Sequence, residues 1–410
     1  MKKSNSRNKK IIFVHSYFYP DNSAGSQMLT DLSFFISSNG LNVSVITSRK
    51  LRYRYDEALL NKEVINGVNV HRVWSSNFGR KGYIKRVIDY ITLDLSLMIG
   101  LLQIVKKGDI VVLLTEPPLF NVVAYPLIRL KKGVVVNWIF DLFPEVAVSA
   151  GLFSKTSIIN ILLKKLRNYT FKRAEKNIVI GSRMFDYLVN LSVSAKNISL
   201  IENWSHGDAI YPVLTSDNNF RKDWGLEGKF VIGYSGNLGV AHDISTILPV
   251  ISTLRFNSNI LFLFIGSGVG LDRVKKYTEE QNLNNVLFKP FQELDFLSMT
   301  LSVPDIHWVT LNPNMEGFIV PSKFYGILAA SKPVIFIGDI DGEIARVIES
   351  IGCGKSFEIG DSDKLENFIK YCSKDLEYVT KIGNIGRQKF DELYDFPLAA
   401  EKFMRLFKEL

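Results

Sequence analysis

Apolar residues fall in short runs separated by stretches of helical spacing, and this alternation holds along the whole chain. The runs at 10–14, 42–47, 68–73, 110–114, 134–138, 177–180 and 199–201 are rich in Val, Ile and Leu and predict strands. Helical periods lie between them; the first covers 27–38 and is closed by Gly40 as a C-cap. A second series of strands is predicted at 230–235, 260–265, 286–288, 307–310, 333–337 and 354–357. Strands alternating with helices imply parallel sheets covered on both faces, so each series reads as a Rossmann-like unit with its ligand at the carboxyl ends of the strands. The polar stretch 203–224, which contains Pro212, reads as the linker. A last helix, 397–410, carries Ala399, Phe403, Leu406 and Leu410 at spacings that require a packing partner. The expected division is an N-terminal unit 1–205, a second unit 206–385, and a C-terminal segment 386–410 that crosses back to the first.

Size agrees with two cores, since 410 residues at 47% hydrophobic content exceed what one core usually holds. Cys353 and Cys372 lack metal-ligand spacing and are too few for a disulfide framework, so both are expected to be packing residues in a reducing compartment. The basic start, Met1 to Lys10, is followed by too short an apolar run for an export signal. The stretch 95–105 is about half of a membrane span. The chain is therefore expected to remain in the cytoplasm without crossing a bilayer. Two readings stand for 83–105, where apolar residues follow Lys85 and Arg86: a segment resting in a lipid interface, or a buried helix.

Charge divides the chain more sharply than its net value of +9 suggests. Residues 1–205 hold 29 Lys and Arg against 14 Asp and Glu, whereas the remainder holds 21 against 27. The basic residues cluster at Arg49, Lys50, Arg52 and Arg54, at Arg80, Lys81, Lys85 and Arg86, and at Lys106–Lys107, Lys131–Lys132 and Lys164, Lys165 and Arg167. Such a surface seeks phosphate or an anionic membrane. No nucleic-acid motif accompanies it, and nucleic acid is not an expected partner.

The densest chemical signal is Pro321-Ser-Lys-Phe-Tyr-Gly-Ile-Leu-Ala-Ala-Ser-Lys-Pro333. Pro321 and Ser322 mark a helix start, where backbone amides and Lys323 would hold a diphosphate and stabilise it as a leaving group. Asp141 and Glu145, in Trp138-Ile-Phe-Asp-Leu-Phe-Pro-Glu145, follow a buried strand and suit the orientation or deprotonation of an acceptor hydroxyl; Asp141 also reads as a helix cap. Glu116 and His15 likewise end strands, and His242-Asp243 is a pair placed to face phosphates.

At these residues the chain resembles glycosyltransferase family 4, within the subgroup that builds bacterial capsule and O-antigen units, L-fucosamine transferases among them. The likeness runs over nearly the whole length. Tyr19-Pro-Asp-Asn-Ser-Ala-Gly25 is similar to the family's first glycine loop, and Phe140-Asp-Leu-Phe-Pro-Glu145 to its acidic segment. Gly233-Tyr-Ser-Gly-Asn-Leu-Gly239, Phe264-Ile-Gly-Ser-Gly268 and Lys289-Pro-Phe291 resemble its donor domain. The resemblance implies an α/β GT-B fold, two Rossmann-like domains facing each other across a cleft. It also implies a UDP-sugar donor and retention of configuration. A helix start that stabilises the departing diphosphate leaves no metal or cofactor expected, and the basic first unit is expected to face the inner surface of the plasma membrane and receive a polyprenyl-diphosphate-linked glycan there. Donor contacts are expected from Gly25, Gly236, Asn237, His242, Gly266, Pro290, Phe291, Ser322, Lys323 and Tyr325.

Two departures matter. The family's paired glutamates fall here on Phe318 and Gly326, with Glu316 as a substitute for the first. Its diphosphate-gripping Arg and Lys fall on Asn237 and His242, which leaves the charge to Lys323, helped by Lys289. A UDP-sugar 2-epimerase of the same architecture and a catalytically silent assembly partner are the rival readings.

Overall fold

A computed structural model describes residues 9–52, 59–78 and 83–410. Arg54, Arg80, Lys81 and the residues before Lys9 lie outside the described residues. The chain forms two compact units, 1–201 together with 400–410, and 202–399.

In the first unit the order is β1 (Lys10–Val14), α1 (Ala24–Ser38), β2 (Asn42–Ser48), β3 (Lys62–Ile65), β4 (Val68–Val73), α2 (Tyr83–Ile104) and β5 (Ile110–Leu114). It continues with α3 (Phe120–Leu130), β6 (Val134–Ile139), α4 (Glu145–Ser149), α5 (Ile158–Arg173), β7 (Lys176–Val179), α6 (Ser182–Asn190) and β8 (Ile198–Leu200). The strands form one sheet in the order β3-β4-β2-β1-β5-β6-β7-β8, parallel except where β3 meets β4. Central strands such as Ile-Val-Val-Leu-Leu of β5 are buried along their whole length, as a sheet covered on both faces demands. The edge strand β3 escaped the sequence reading because Lys62-Glu-Val-Ile65 has only a weak alternation and one side in solvent. Gly40, at φ +83°, ends the turn after α1, the left-handed position that favours glycine.

The second unit contains α7 (Asn219–Asp223), β9 (Phe230–Asn237), α8 (Ile247–Thr253), β10 (Ile260–Ser267), α9 (Val269–Glu280), β11 (Val286–Lys289), α10 (Leu297–Ser302) and β12 (Ile306–Thr310). It ends with α11 (Lys323–Ala329), β13 (Val334–Ile337), α12 (Glu343–Ile351), β14 (Gly354–Phe357), α13 (Ser362–Cys372), α14 (Leu376–Leu393) and the beginning of α15 (Phe396–Glu409). Its six strands are all parallel, ordered β11-β10-β9-β12-β13-β14. Cys353 and Cys372 are free and buried.

Three expectations need revision. The stretch 203–224 is not a bare linker: Asn218 caps α7, and Arg221 is buried against Asp305 at 2.9 Å and the Val303 carbonyl at 2.9 Å, so it belongs to the second unit. Within 386–410, α14 runs to Leu393 as part of the second unit, and only the last eleven residues are counted with the first. There Phe403 packs 4.8 Å from Trp138 and Phe407 packs 6.0 Å from Phe13, ring centre to ring centre. Lastly, β9 and β10 run two residues past their expected ends, because Gly266 pairs with Gly236 and Ser267 with Asn237.

Candidate functional site

Open α/β sheets bind ligands at the carboxyl ends of strands where the strand order reverses. In the first unit that point lies between β1 and β5. His15 directly follows β1, Glu116 follows β5 after Thr115, and Asp141 follows β6 after Phe140. Thr115 Oγ1 accepts from the amides of Phe140 and Asp141 at 3.3 and 3.4 Å, which ties two strand ends together.

Glu116 accepts from Arg52 Nη1 at 3.0 Å and lies 4.0 Å from His15 Nε2. Asp21 holds Arg52 by accepting its backbone amide at 2.5 Å. Burial lowers the pKa of His15, opposed by Glu116, while its Nδ1 sits 2.7 Å from the Tyr17 carbonyl. For Asp141, desolvation and then the Glu116 charge push the carboxyl up to about 6, against the pull of Arg52. Asp141 also lines a narrow recess of only about 20 Å³, together with Thr115, Asn121, Asn137 and Arg167. Gly25 belongs to this group, since a Cβ there would stand 3.2 Å from His15 Nε2. It leaves room for the histidine.

Glu145 has a different task from the one its sequence position suggested. It is buried in a bidentate pair with Arg167, one arm at 3.0 Å, and it also accepts from Tyr187 Oη at 2.6 Å. Lys164 adds its charge at 3.5 Å. Desolvation would raise its pKa, but the Arg167 charge and these hydrogen bonds hold it below the usual carboxylate range. Paired with Arg167 on both oxygens and buried, Glu145 anchors α4 to α5.

In the second unit the order reverses between β9 and β12. Here β9 and β10 each carry a glycine one residue before their ends. Gly236 and Gly266, at φ +128° and +136°, lie side by side, and a Cβ on Gly266 would come within 2.2 Å of the Gly236 carbonyl. Only glycine fits such a shelf, and it allows a ligand to approach the backbone closely. Phe291, an exposed ring, borders it, 3.2 Å from where that Cβ would be.

Lys323 reaches the same shelf from α11. Its Nζ sits 3.8 Å from the centre of the Tyr234 ring, donates to the Tyr234 hydroxyl, and lies 3.4 Å from where a Cβ on Gly236 would be. Burial draws its pKa down to about 7, leaving an amine that a phosphate would charge. Tyr234 in turn donates to the Asn237 carbonyl at 3.0 Å, fixing the turn beyond β9. His242 accepts the Gly239 amide through Nδ1 at 3.0 Å; burial and the Lys323 charge lower its pKa to about 3, so it stands neutral beside the lysine. Sequence reasoning missed Tyr234 and the Arg52–Glu116 pair; an aromatic two residues ahead of a strand-end glycine was the available signal for the first.

Other expected site residues sit elsewhere. Tyr325 is buried with its ring 5.1 Å from that of Tyr394, so it is core. Ser322 precedes a helix of only seven residues, and the amides of Phe324 and Tyr325 already bond the carbonyls of Pro321 and Ser322 at 3.3 and 3.4 Å. Charge at this site therefore rests on the Lys323 side chain more than on the helix. Glu316 Oε1 accepts from the Glu343 amide at 2.8 Å and from the Gly317 amide at 3.3 Å, capping α12. Burial outweighs those bonds and raises the pKa of Glu316. Lys289 lies 5.2 Å from the Trp224 ring, and Pro290 is exposed beyond β11. Asp243 accepts from Ser245 and from the Thr246 amide, which makes it a turn former ahead of α8.

No protein-family profile matches the chain. It is 30% identical over 302 residues, 73% of its own length and 74% of the relative's, to "Probable glycosyltransferase WbjE" of Pseudomonas aeruginosa. A shorter likeness, 27% over 173 residues and 42% of each chain, links it to "Putative colanic acid biosynthesis glycosyl transferase WcaI" of Escherichia coli K12. Among solved structures, sucrose-phosphate synthase of Thermosynechococcus elongatus superposes with a TM-score of 0.76 at 15% identity, over 98% of both chains. HepE of Anabaena, solved in complex with UDP, gives 0.74 at 12% identity over 98% of this chain and 100% of its own.

Proposed function

This chain belongs to the bacterial glycosyltransferases represented by WbjE and has the GT-B fold, and we propose that it moves a sugar from a UDP-sugar to a lipid-linked glycan in surface-polysaccharide synthesis. The observation that carries the reading is the Lys323 amine poised over Tyr234 beside the Gly236–Gly266 shelf. A diphosphate seated there would be approached by bare backbone and met by one convertible charge. As the glycosidic bond to the diphosphate breaks, negative charge grows on the departing oxygen, and protonated Lys323 stabilises it in a site that excludes most water. UDP in the HepE structure supports the nucleotide. The resemblance to family 4 supports retention of configuration and a reaction without metal.

The acceptor is assigned to the first unit's strand ends. Asp141, whose carboxyl is pushed up to about 6, is the group suited to orient a hydroxyl and take up its proton, with Glu116 and Arg52 setting its charge. A polyprenyl diphosphate carrying the glycan suits the basic character of residues 1–205.

The test is a panel of UDP- and GDP-sugars, radiolabelled in the sugar, incubated with purified protein and bacterial membrane extract. Label is expected in the lipid fraction from a UDP-sugar. Transfer from GDP-sugars alone would overturn the donor, and epimerised UDP-N-acetylhexosamine formed without acceptor would replace transfer by the rival epimerase chemistry.

A further inference from the structure

The second unit holds a recess that shares no residue with the glycine shelf. It lies at the edge of the sheet, where β14 is the last strand. Three strand steps separate β14 from β9, roughly 14 Å at the usual spacing. The recess measures about 780 Å³, within the size range of pockets that hold small ligands.

The sequence accounts for its walls. Helix α13 buries Leu365, Phe368, Ile369 and Cys372. Overlapping that side, Lys364, Asn367, Phe368 and Tyr371 recur at i, i+3, i+4 and i+7, so they share one face, and all four line the recess. The floor is apolar: the buried rings of Phe357 and Phe368 stand 5.7 Å apart. At the turn into α14, Asp375 accepts the Tyr371 hydroxyl at 3.0 Å and the Tyr378 amide at 2.9 Å, which fixes two tyrosines at one corner. Their rings stand 5.2 Å apart at 62°, and Tyr371 remains 49% exposed.

Polar groups surround these rings. Glu358 and Asn367 line the recess and are exposed. The carbonyls of Cys353 and Phe357 accept from the Val334 and Gly338 amides of the β13 side, at 3.1 and 3.0 Å. Backbone groups of a parallel strand alternate in direction, so those of Gly354 and Ser356 face away from β13, at the free edge. Two outward residues are too few to take an added peptide strand.

Charge decides the class of ligand. Lys355 and Lys364 balance Glu358 and Asp361, Lys364 lies 3.0 Å from Asp361, and Lys355 lies over the Phe357 and Phe368 rings at 5.7 and 5.4 Å. The recess therefore selects neither anion nor cation, in contrast to the shelf with Lys323. Exposed aromatic rings bordered by carboxylate, amide and backbone groups suit a pyranose, which has an apolar C–H face and a girdle of hydroxyls that donate and accept.

We propose that this recess is an accessory subsite for uncharged sugar residues of a glycan, with a ring laid on Tyr371 and its hydroxyls bonded to Glu358, Asn367 and the edge of β14. The inference rests on the proposed transfer only for its purpose: a glycan held here raises the local concentration of the chain to be extended.

Saturation-transfer NMR on the full chain, with maltotriose or triacetylchitotriose at millimolar concentration, tests this without donor or lipid. Transfer to either trisaccharide is expected from wild type. Tyr371→Ala, and separately Glu358→Ala with Asn367→Ala, should each weaken the signal about fivefold or more while thermal melting and UDP affinity by calorimetry stay at wild-type values. Excess inorganic phosphate should leave the signal unchanged. The inference is overturned if neither trisaccharide receives saturation, if either variant transfers as wild type does, if phosphate competes, or if light scattering shows a dimer that Tyr371→Ala dissolves. A wild-type protein that binds a trisaccharide and not UDP keeps the subsite and loses the proposed donor.

Discussion

The two strand-order reversals in this molecule sit on the same architecture and hold opposite chemistry. In the first unit the strand ends carry His15, Glu116 and Asp141, with Arg52 paired to Glu116 at 3.0 Å. In the second, β9 and β10 run out through Gly236 and Gly266, with Lys323 brought in from α11. Parallel sheets supply the crevice, and the residues just past the strand ends supply its function. A carboxylate-rich end suits a neutral hydroxyl that must lose a proton; a bare backbone end with one cation suits a diphosphate that must gain stabilisation.

The hardest test of this contrast is Lys323→Ala. Loss of the Lys323 charge at the glycine shelf should reduce transfer by about a hundredfold or more while melting stays near wild type. Wild-type turnover would break the assignment of the shelf to phosphate. Asp141→Asn should act on the other side alone, lowering kcat by about a hundredfold with UDP affinity unchanged by calorimetry. In the wild type the corresponding rate should fall as pH drops through about 6, because Asp141 must be ionised to accept a proton.

Glu145→Gln separates anchoring from catalysis within the first unit. Removing one partner of a buried ion pair leaves Arg167 uncompensated, and the expected loss is about 3–5 kcal/mol in chemical denaturation. Activity per folded molecule should persist; a loss of kcat without a loss of stability would return Glu145 to the acceptor. The wild-type pair has a sign that can be checked as well. Because the folded Glu145 pKa is depressed, its contribution is present above the unfolded carboxylate value and is lost as pH falls through the folded one.

The smallest effect sharpens the second unit. Lys323 has a pKa near 7 in the free protein, and a bound diphosphate favours its charged form. Affinity for UDP should be greatest below pH 7 and weaken by up to about tenfold per unit above it, accompanied by proton uptake measurable by calorimetry in buffers of different ionisation heat. A flat profile between pH 6 and 8 would mean that the amine is already charged and screened.

Much of this was legible in the chain itself. Alternation of Val- and Ile-rich runs with helical periods determined two parallel sheets, since burial on both faces leaves few other ways to cover such strands. The residue types just past the apolar runs, Asp141 after one and Gly236 and Gly266 after others, were visible for the same reason, although β9 and β10 pair on through their glycines. Pairing across space decided the rest. Glu145 reads like Asp141 in sequence, and only Arg167, twenty-two positions on, turns it into an anchor. Tyr325 and Lys323 are two residues apart on one short helix, and the direction of each side chain made one core and the other site. The recess beside β14 was hidden for a related reason, because the periodicity of α13 reports that a helix has two sides and is silent on which side the sheet will claim.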